Sequence, residues 1–121
     1  MRTISNEELR KILEKHGKWL RGEEGGERAY LRRADLRGVR LGLSLLSDAD
    51  LYRADLYEAN LAEADMAGAD MAGADLSEAN LAGARLAGAN LSNADLLDAV
   101  LVGADLTGAD LTWARLDGTK R

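Results

Sequence analysis

The 121-residue chain has no cysteine, no proline and no phenylalanine. Without cysteine, neither a disulfide framework nor a thiolate metal site can form. Only five residues are aromatic: Trp19, Trp113, Tyr30, Tyr52 and Tyr57. A core filled by large rings is therefore excluded, and aliphatic side chains must build the interior. His16 is the single histidine, and neither a phosphate-binding G-x-x-x-x-G-K-[ST] loop nor a G-x-S-x-G elbow occurs. Hydrolase and nucleotide-binding schemes have no parts here, so no catalytic residue, cofactor or metal is expected. No run approaches the roughly 18 consecutive apolar residues of a membrane helix. The opening MRTISNEELRK lacks the apolar core and small-residue cleavage site of a secretion signal. These absences lead to the expectation of a cytoplasmic protein with no membrane partner.

The net charge is −5, unevenly placed. Residues 1–33 hold nine basic and six acidic groups, whereas 34–121 hold seven and fifteen. Between 48 and 110, Arg53 and Arg85 face thirteen acidic side chains. That stretch repels a nucleic-acid backbone, so no direct nucleic-acid partner is expected.

Against these absences stands one strong regularity. Stepping by five from Leu31 to Leu116 meets eighteen large apolar residues in eighteen steps, all Leu except Met66 and Met71. Two positions before each lies Ala, with Val39 and Ser44 the exceptions, and the residue between is Asp or Asn in twelve units. The unit is A-(D/N)-L-x-x. A period of five smears around an α-helix of 3.6 residues per turn and alternates faces on a flat strand. A chain that turns a corner every five residues keeps Leu and Ala on one inward side. Gly at the last position of eight units, among them Gly38, Gly68 and Gly118, suits a tight bend.

Unbroken A-D-L-x-x resembles the pentapeptide repeat family, over about three-quarters of the chain. The resemblance implies an all-β fold: a right-handed quadrilateral β-helix, four units per coil, with Leu and Ala filling the interior. Eighteen units then give about 4.5 coils, a rod roughly 20 Å long at the ~4.8 Å strand spacing. Each coil touches only its neighbours.

Three segments are expected: 1–28 as a capping helix and Gly-rich joint, 29–118 as the β-helix, and 119–121 as a tail. Residues 5–21 read as an amphipathic helix with Leu9, Ile12, Leu13, His16, Trp19 and Leu20 on one face. Ser5 and Glu8 match a capping box, Ile4 and Leu9 a hydrophobic staple, and Gly22 with Gly25-Gly26 ends the helix. It is expected to lie over the first coil as a lid. His16 on that face suits packing or capping.

Any function should sit where the repeat is decorated or stops. Positions twenty apart should stack, which sets Asp55, Asp75 and Asp95 beside Glu58, Glu78 and Asp98 as a two-wide acidic strip. One reading makes this an anionic face that imitates a nucleic-acid backbone. The other has the Asp bonding turn backbone while the Glu are simply solvated. Asp48-Ala-Asp50 fails the calcium-loop pattern, having no following Gly or bidentate Glu at the required spacing. Arg32, Arg33, Arg37, Arg40 and Arg53 gather on the first coils near Tyr52 and Tyr57. At the far end, Leu97, Val100, Val102 and Trp113 occupy outward positions beside the core residues Leu111 and Leu116. Exposed apolar groups next to an open core suit a homodimer end. Relatives that bind DNA gyrase are similar in pairing through their C-terminal ends.

The function expected is a non-catalytic structural or protein-interaction module, a rigid rod with an unidentified protein partner. The alternative is an acidic DNA mimic that binds gyrase or another topoisomerase.

Overall fold

The computed structural model describes all 121 residues: one helix, α1 (Asn6–Leu20), followed by a β-helix solenoid. From Tyr30 to Lys120, every parallel bridge joins residues twenty apart, such as Asp35 to Asp55 and Asp55 to Asp75. Four five-residue units therefore separate each residue from its neighbour on the next rung.

In a middle unit that carries Asp or Asn before its central residue, every backbone N–H has a partner. In the unit around Leu51, the Leu51 N–H donates to the Asp70 carbonyl at 2.7 Å and the Arg53 N–H to the Ala72 carbonyl at 2.9 Å. The Ala54 N–H closes the corner onto the Leu51 carbonyl, and the Asp50 N–H reaches back to the Ala29 carbonyl, both at 3.0 Å. The fifth donor, the Tyr52 N–H, is satisfied by the Asp50 carboxylate at 3.1 Å. The same side-chain bond forms at all twelve units whose central Leu or Met follows Asp or Asn. A buried N–H left without a partner would cost about 1–3 kcal/mol, so the Asx residue is the natural complement of the turn.

The last residue of every unit has positive φ: eight are glycine, and ten, including Glu58, Glu63 and Trp113, are not. Positive φ at the third turn position with a Leu C=O to Ala N–H bond defines a type II turn. A side chain there costs about 1–2 kcal/mol. None of the ten is β-branched, the class that tolerates this region least.

The interior is a stack of aliphatic layers. Central residues from Leu46 to Leu96 and the Ala between them are essentially inaccessible. Met66 and Met71 take the same slots, their unbranched chains filling space that Leu fills elsewhere.

α1 begins as the sequence indicates. The Ser5 hydroxyl accepts the Glu8 N–H at 3.0 Å. The return half of the capping box is absent, because the Glu8 carboxylate lies 4.0 Å from Arg2 instead. The helix ends in a Schellman motif: Gly22 at φ 68° donates to the Trp19 carbonyl and Glu23 to the Lys18 carbonyl. Gly26 then passes so close to the helix end that an added Cβ would lie 2.4 Å from the Trp19 nitrogen. Only glycine fits that joint.

α1 lies over the first coil, with Leu9 buried and Ile4, Ile12 and Leu13 packed against the core. Trp19 and Leu20 fall partly outside the covered face. Trp19 is 39% exposed and stacks on His16 with ring centroids 5.4 Å apart. His16 is fully buried. Its Nδ1 accepts the Ala29 N–H at 2.9 Å, so Nε2 carries the proton and donates to the Ser47 carbonyl at 2.8 Å. The cap closes other edge groups too. Arg2 pairs as an extra strand with Arg33 and Asp35 and donates a guanidinium N–H to the Tyr30 carbonyl, while Arg28 donates to the Asp48 carbonyl. At the other end, Lys120 still joins the ladder through Ala99 and Leu101. No helix is long and apolar enough to cross a membrane.

Two predictions follow from the packing. Leu76→Ala, in a fully buried layer, should cost about 3 kcal/mol, and Leu116→Ala, half-exposed in the last coil, less than half of that, both read by thermal or denaturant unfolding. His16 is held below its ordinary 6.5, first by burial, with Arg28 adding to the effect while the Ser47 bond and Asp48 oppose it. The unfolded chain therefore takes up the proton first. The stability His16 contributes is complete above pH about 6.5 and is lost as the pH falls below it. The stability gap between wild type and His16→Ala should shrink from pH 7.5 to pH 5, a range set by the ordinary histidine value of about 6.5.

Candidate interaction surfaces

The columns of the solenoid decide which outward side chains meet. Asp35, Asp55, Asp75, Asp95 and Arg115 are bridged in succession, one per rung. Glu58, Glu78 and Asp98 occupy the last positions of the same units, all with positive φ near 58°. The six residues of the expected acidic strip thus lie on one side.

Their chemistry is not uniform. Asp55, Asp75 and Asp95 each spend Oδ1 on the N–H two residues on, at Tyr57, Ser77 and Leu97. Asp75 also accepts the Ser77 hydroxyl at 2.5 Å. Asp95 lies 4.0 Å from Arg115. Lower in the column, Arg37 forms a two-pronged pair with Asp35 and reaches to 3.9 Å from Asp55. Hydrogen bonding to Arg37 holds the Asp35 carboxyl down at about 2. Glu58, Glu78 and Asp98 make no ion pair and supply the free negative charge of the strip. Tyr57 registers it: a hydrogen bond to Glu78, and repulsion of the phenolate by Glu58 and Glu78, push the phenol up to about 12.

The arginine-rich side of the first two coils is a separate surface. Arg32 is bound to Asp50, a carboxylate only 2% exposed, and its guanidinium lies 5.2 Å from the Tyr52 ring centroid. Arg53 approaches the same ring at 5.6 Å, and Arg28 lies over Tyr30 at 5.6 Å. Arg37 belongs to the acidic column, and Arg40 lines an open groove between α1 and the first coil.

At the far end the core is uncovered. Leu106, Leu111 and Leu116 are only partly buried, and Trp113 is 85% exposed at φ 60°. Val102 is exposed, while Leu97 and Val100 are half-buried. The N–H groups of Gly103, Leu106, Gly108, Leu111, Trp113, Leu116 and Gly118 have no partner within the chain, and the Ala104, Ala109 and Ala114 carbonyls receive no ladder bond. Each equivalent group in the middle coils is paired. The open edge carries no pattern in the sequence, which shows the unusual Trp113 but not the row of free donors beneath it. No group of three or more His, Asp or Glu converges as a metal site.

The repeat pattern, the closed corner and the twenty-residue rung together define the class. Pentapeptide repeats match the chain in eight copies, over residues 27–61, 54–92 and 84–120. The chain belongs to the pentapeptide repeat family. It is similar to a pentapeptide repeat protein from the thylakoid lumen of Arabidopsis thaliana, with 32% identity and a TM-score of 0.72 over 74% of this chain and 63% of that one. It is also similar to Rfr23 from the cyanobacterium Cyanothece 51142, with 37% identity and a TM-score of 0.67 over 78% of this chain and 61% of that one. The chain thus spans less than two thirds of either relative's length. Among curated protein sequences none matches significantly.

The charge of the strip can be read through Tyr57. In an absorbance titration of the three tyrosines, the component near 12 should vanish in Tyr57→Phe. It should fall toward 10 in the Glu58→Gln/Glu78→Gln double variant, because removing nearby negative charge eases phenolate formation.

Proposed function

We propose that this protein is a non-catalytic interaction module: a right-handed, quadrilateral rod of about 4.5 coils that joins a second copy end to end and presents its sides to a protein partner. The observation that carries the reading is the contrast in apolar cover between the two ends, since both coils leave ladder groups unpaired. At the first coil, Arg2, His16 and Arg28 meet edge carbonyls and α1 covers the core. At the last coil, seven N–H groups and three carbonyls are free beside partly exposed Leu.

A second copy supplies the missing cover. Two-fold pairing can set the three free carbonyls of each edge against donors of the other, and its main gain is burial of Leu106, Leu111 and Leu116 of both. Trp113 supports the reading twice over. It is the bulkiest side chain at any positive-φ turn position, and it is almost fully exposed. A strained, exposed aromatic is a cost without return until a contact covers it.

The non-catalytic reading is supported by how the Asp are used. Twelve Asp or Asn are committed to turn backbone, and the remaining carboxylates stand on open sides where water screens them. The DNA-mimic reading gains nothing specific here, because the strip is short and Arg37 and Arg115 offset its charge at Asp55 and Asp95.

Light scattering across a concentration series tests the pairing. Twice the chain mass at high concentration is expected, reverting to the monomer in Trp113→Glu with the melting curve otherwise retained. A monomer mass at every concentration contradicts it.

A further inference from the structure

We infer that the basic and aromatic side of the first two coils is a docking surface for a short acidic peptide segment of a partner protein. The inference specifies the partner chemistry of the interaction module proposed above and is independent of end-to-end pairing.

Four guanidinium groups, Arg28, Arg32, Arg33 and Arg53, gather on consecutive rungs with Tyr30 and Tyr52 between them. Arg32 alone has a carboxylate partner, the buried Asp50. Arg28, Arg33 and Arg53 form no ion pair. The local excess of positive charge is therefore left unneutralised in a chain whose net charge is −5. Arg33 and Arg53 hold equivalent corner positions one rung apart, at φ 57° and 55°. Their side chains are long enough to reach from that ~4.8 Å rung spacing to two carboxylates ~6.8 Å apart on one face of an extended peptide.

The surface is shaped as well as charged. Arg33, Tyr52 and Arg53 border a shallow hollow floored by Ala54, Ala72 and Gly73. Gly73 is part of the reason it is open: a Cβ there would stand 3.0 Å from Arg53 Cγ. The Arg53 stem lies over that glycine, and its head stays beside Tyr52. Such a ring beside guanidinium groups provides an apolar floor flanked by donors.

The far wall decides between ligand classes. Asp55 and Asp75 close the hollow on its other side, and the rungs beyond are acidic. A continuous phosphate backbone would run from the arginines onto those carboxylates. A short peptide with two or three acidic side chains can end before reaching them. The charge pattern therefore selects a short acidic peptide over a nucleic-acid strand.

The test is fluorescence anisotropy with a short labelled peptide of alternating Asp and Gly residues, at low salt, with labelled oligothymidine in a parallel arm. The full chain should bind the peptide. The Arg33→Glu/Arg53→Glu double variant should bind it at least about tenfold more weakly, as loss of two charge-assisted contacts requires. Glu already occupies the same corner position at Glu58, Glu63 and Glu78, so the fold should tolerate the change. Arg33→Gln/Arg53→Gln provides a second variant that reverses no charge. Lys120→Glu, at the other end, should bind like wild type, and Trp113→Glu should also retain binding, which separates this surface from the pairing end. No binding at millimolar protein, equal loss in Lys120→Glu, or tighter binding of oligothymidine would overturn the inference.

Discussion

The structure depends on one constraint: the ladder and corner N–H groups of a five-residue unit must find partners while the chain turns a corner. Two donors go to the next rung, one to the previous rung, one across the corner and, in the twelve units that carry Asp or Asn, one to that side chain. The corner closes only if its third residue takes positive φ, and all eighteen do so. The Leu and Ala layers follow from that closure, since it turns those two residues inward on every side. Hydrophobic burial supplies the driving force, but hydrogen-bond closure selects the shape.

The same requirement explains where the fold needs help. A solenoid satisfies itself only in the middle, and each end presents a coil of unmatched groups. At the first coil the answer is partial: a few polar bonds and an apolar cover. Arg2 adds a strand, and neutral His16 bridges the Ala29 N–H and the Ser47 carbonyl while α1 lies over the first coil. At the last coil nothing within the chain plays that part. The exceptions to the rod's regularity are the uncovered end, the unpaired arginines of the first coils and the free Glu58, Glu78 and Asp98.

Much of this was legible before any coordinates. The period of five excluded helix and flat strand, and steps of twenty placed Asp55, Asp75 and Asp95 in one column, as the bridges have them. The N-cap at Ser5 was legible because its signal is local. Features that depend on the meeting of distant groups were not. Arg2 pairs with the first coil outside any repeat, and the Glu8 carboxylate turns to Arg2 instead of the Ser5 N–H. The sequence suggested Gly at eight corners, whereas the backbone demands the same conformation at the other ten and bears the strain. Composition left Asp before Leu open between charge display and turn bonding. The twelve Asx bonds show that it also serves the backbone wherever it occurs.

Amide hydrogen exchange resolved to single residues tests this account of the ladder most directly. In dilute solution, where copies are separate, the Leu51, Leu76 and Leu96 amides should exchange slowly, and Leu31 beneath the cap should match them. The Leu106, Leu111 and Leu116 amides should exchange near the rate of open chain and become protected as concentration rises. Last-coil amides as slow as Leu76 in dilute solution, or a Leu76 amide that exchanges freely, would contradict it.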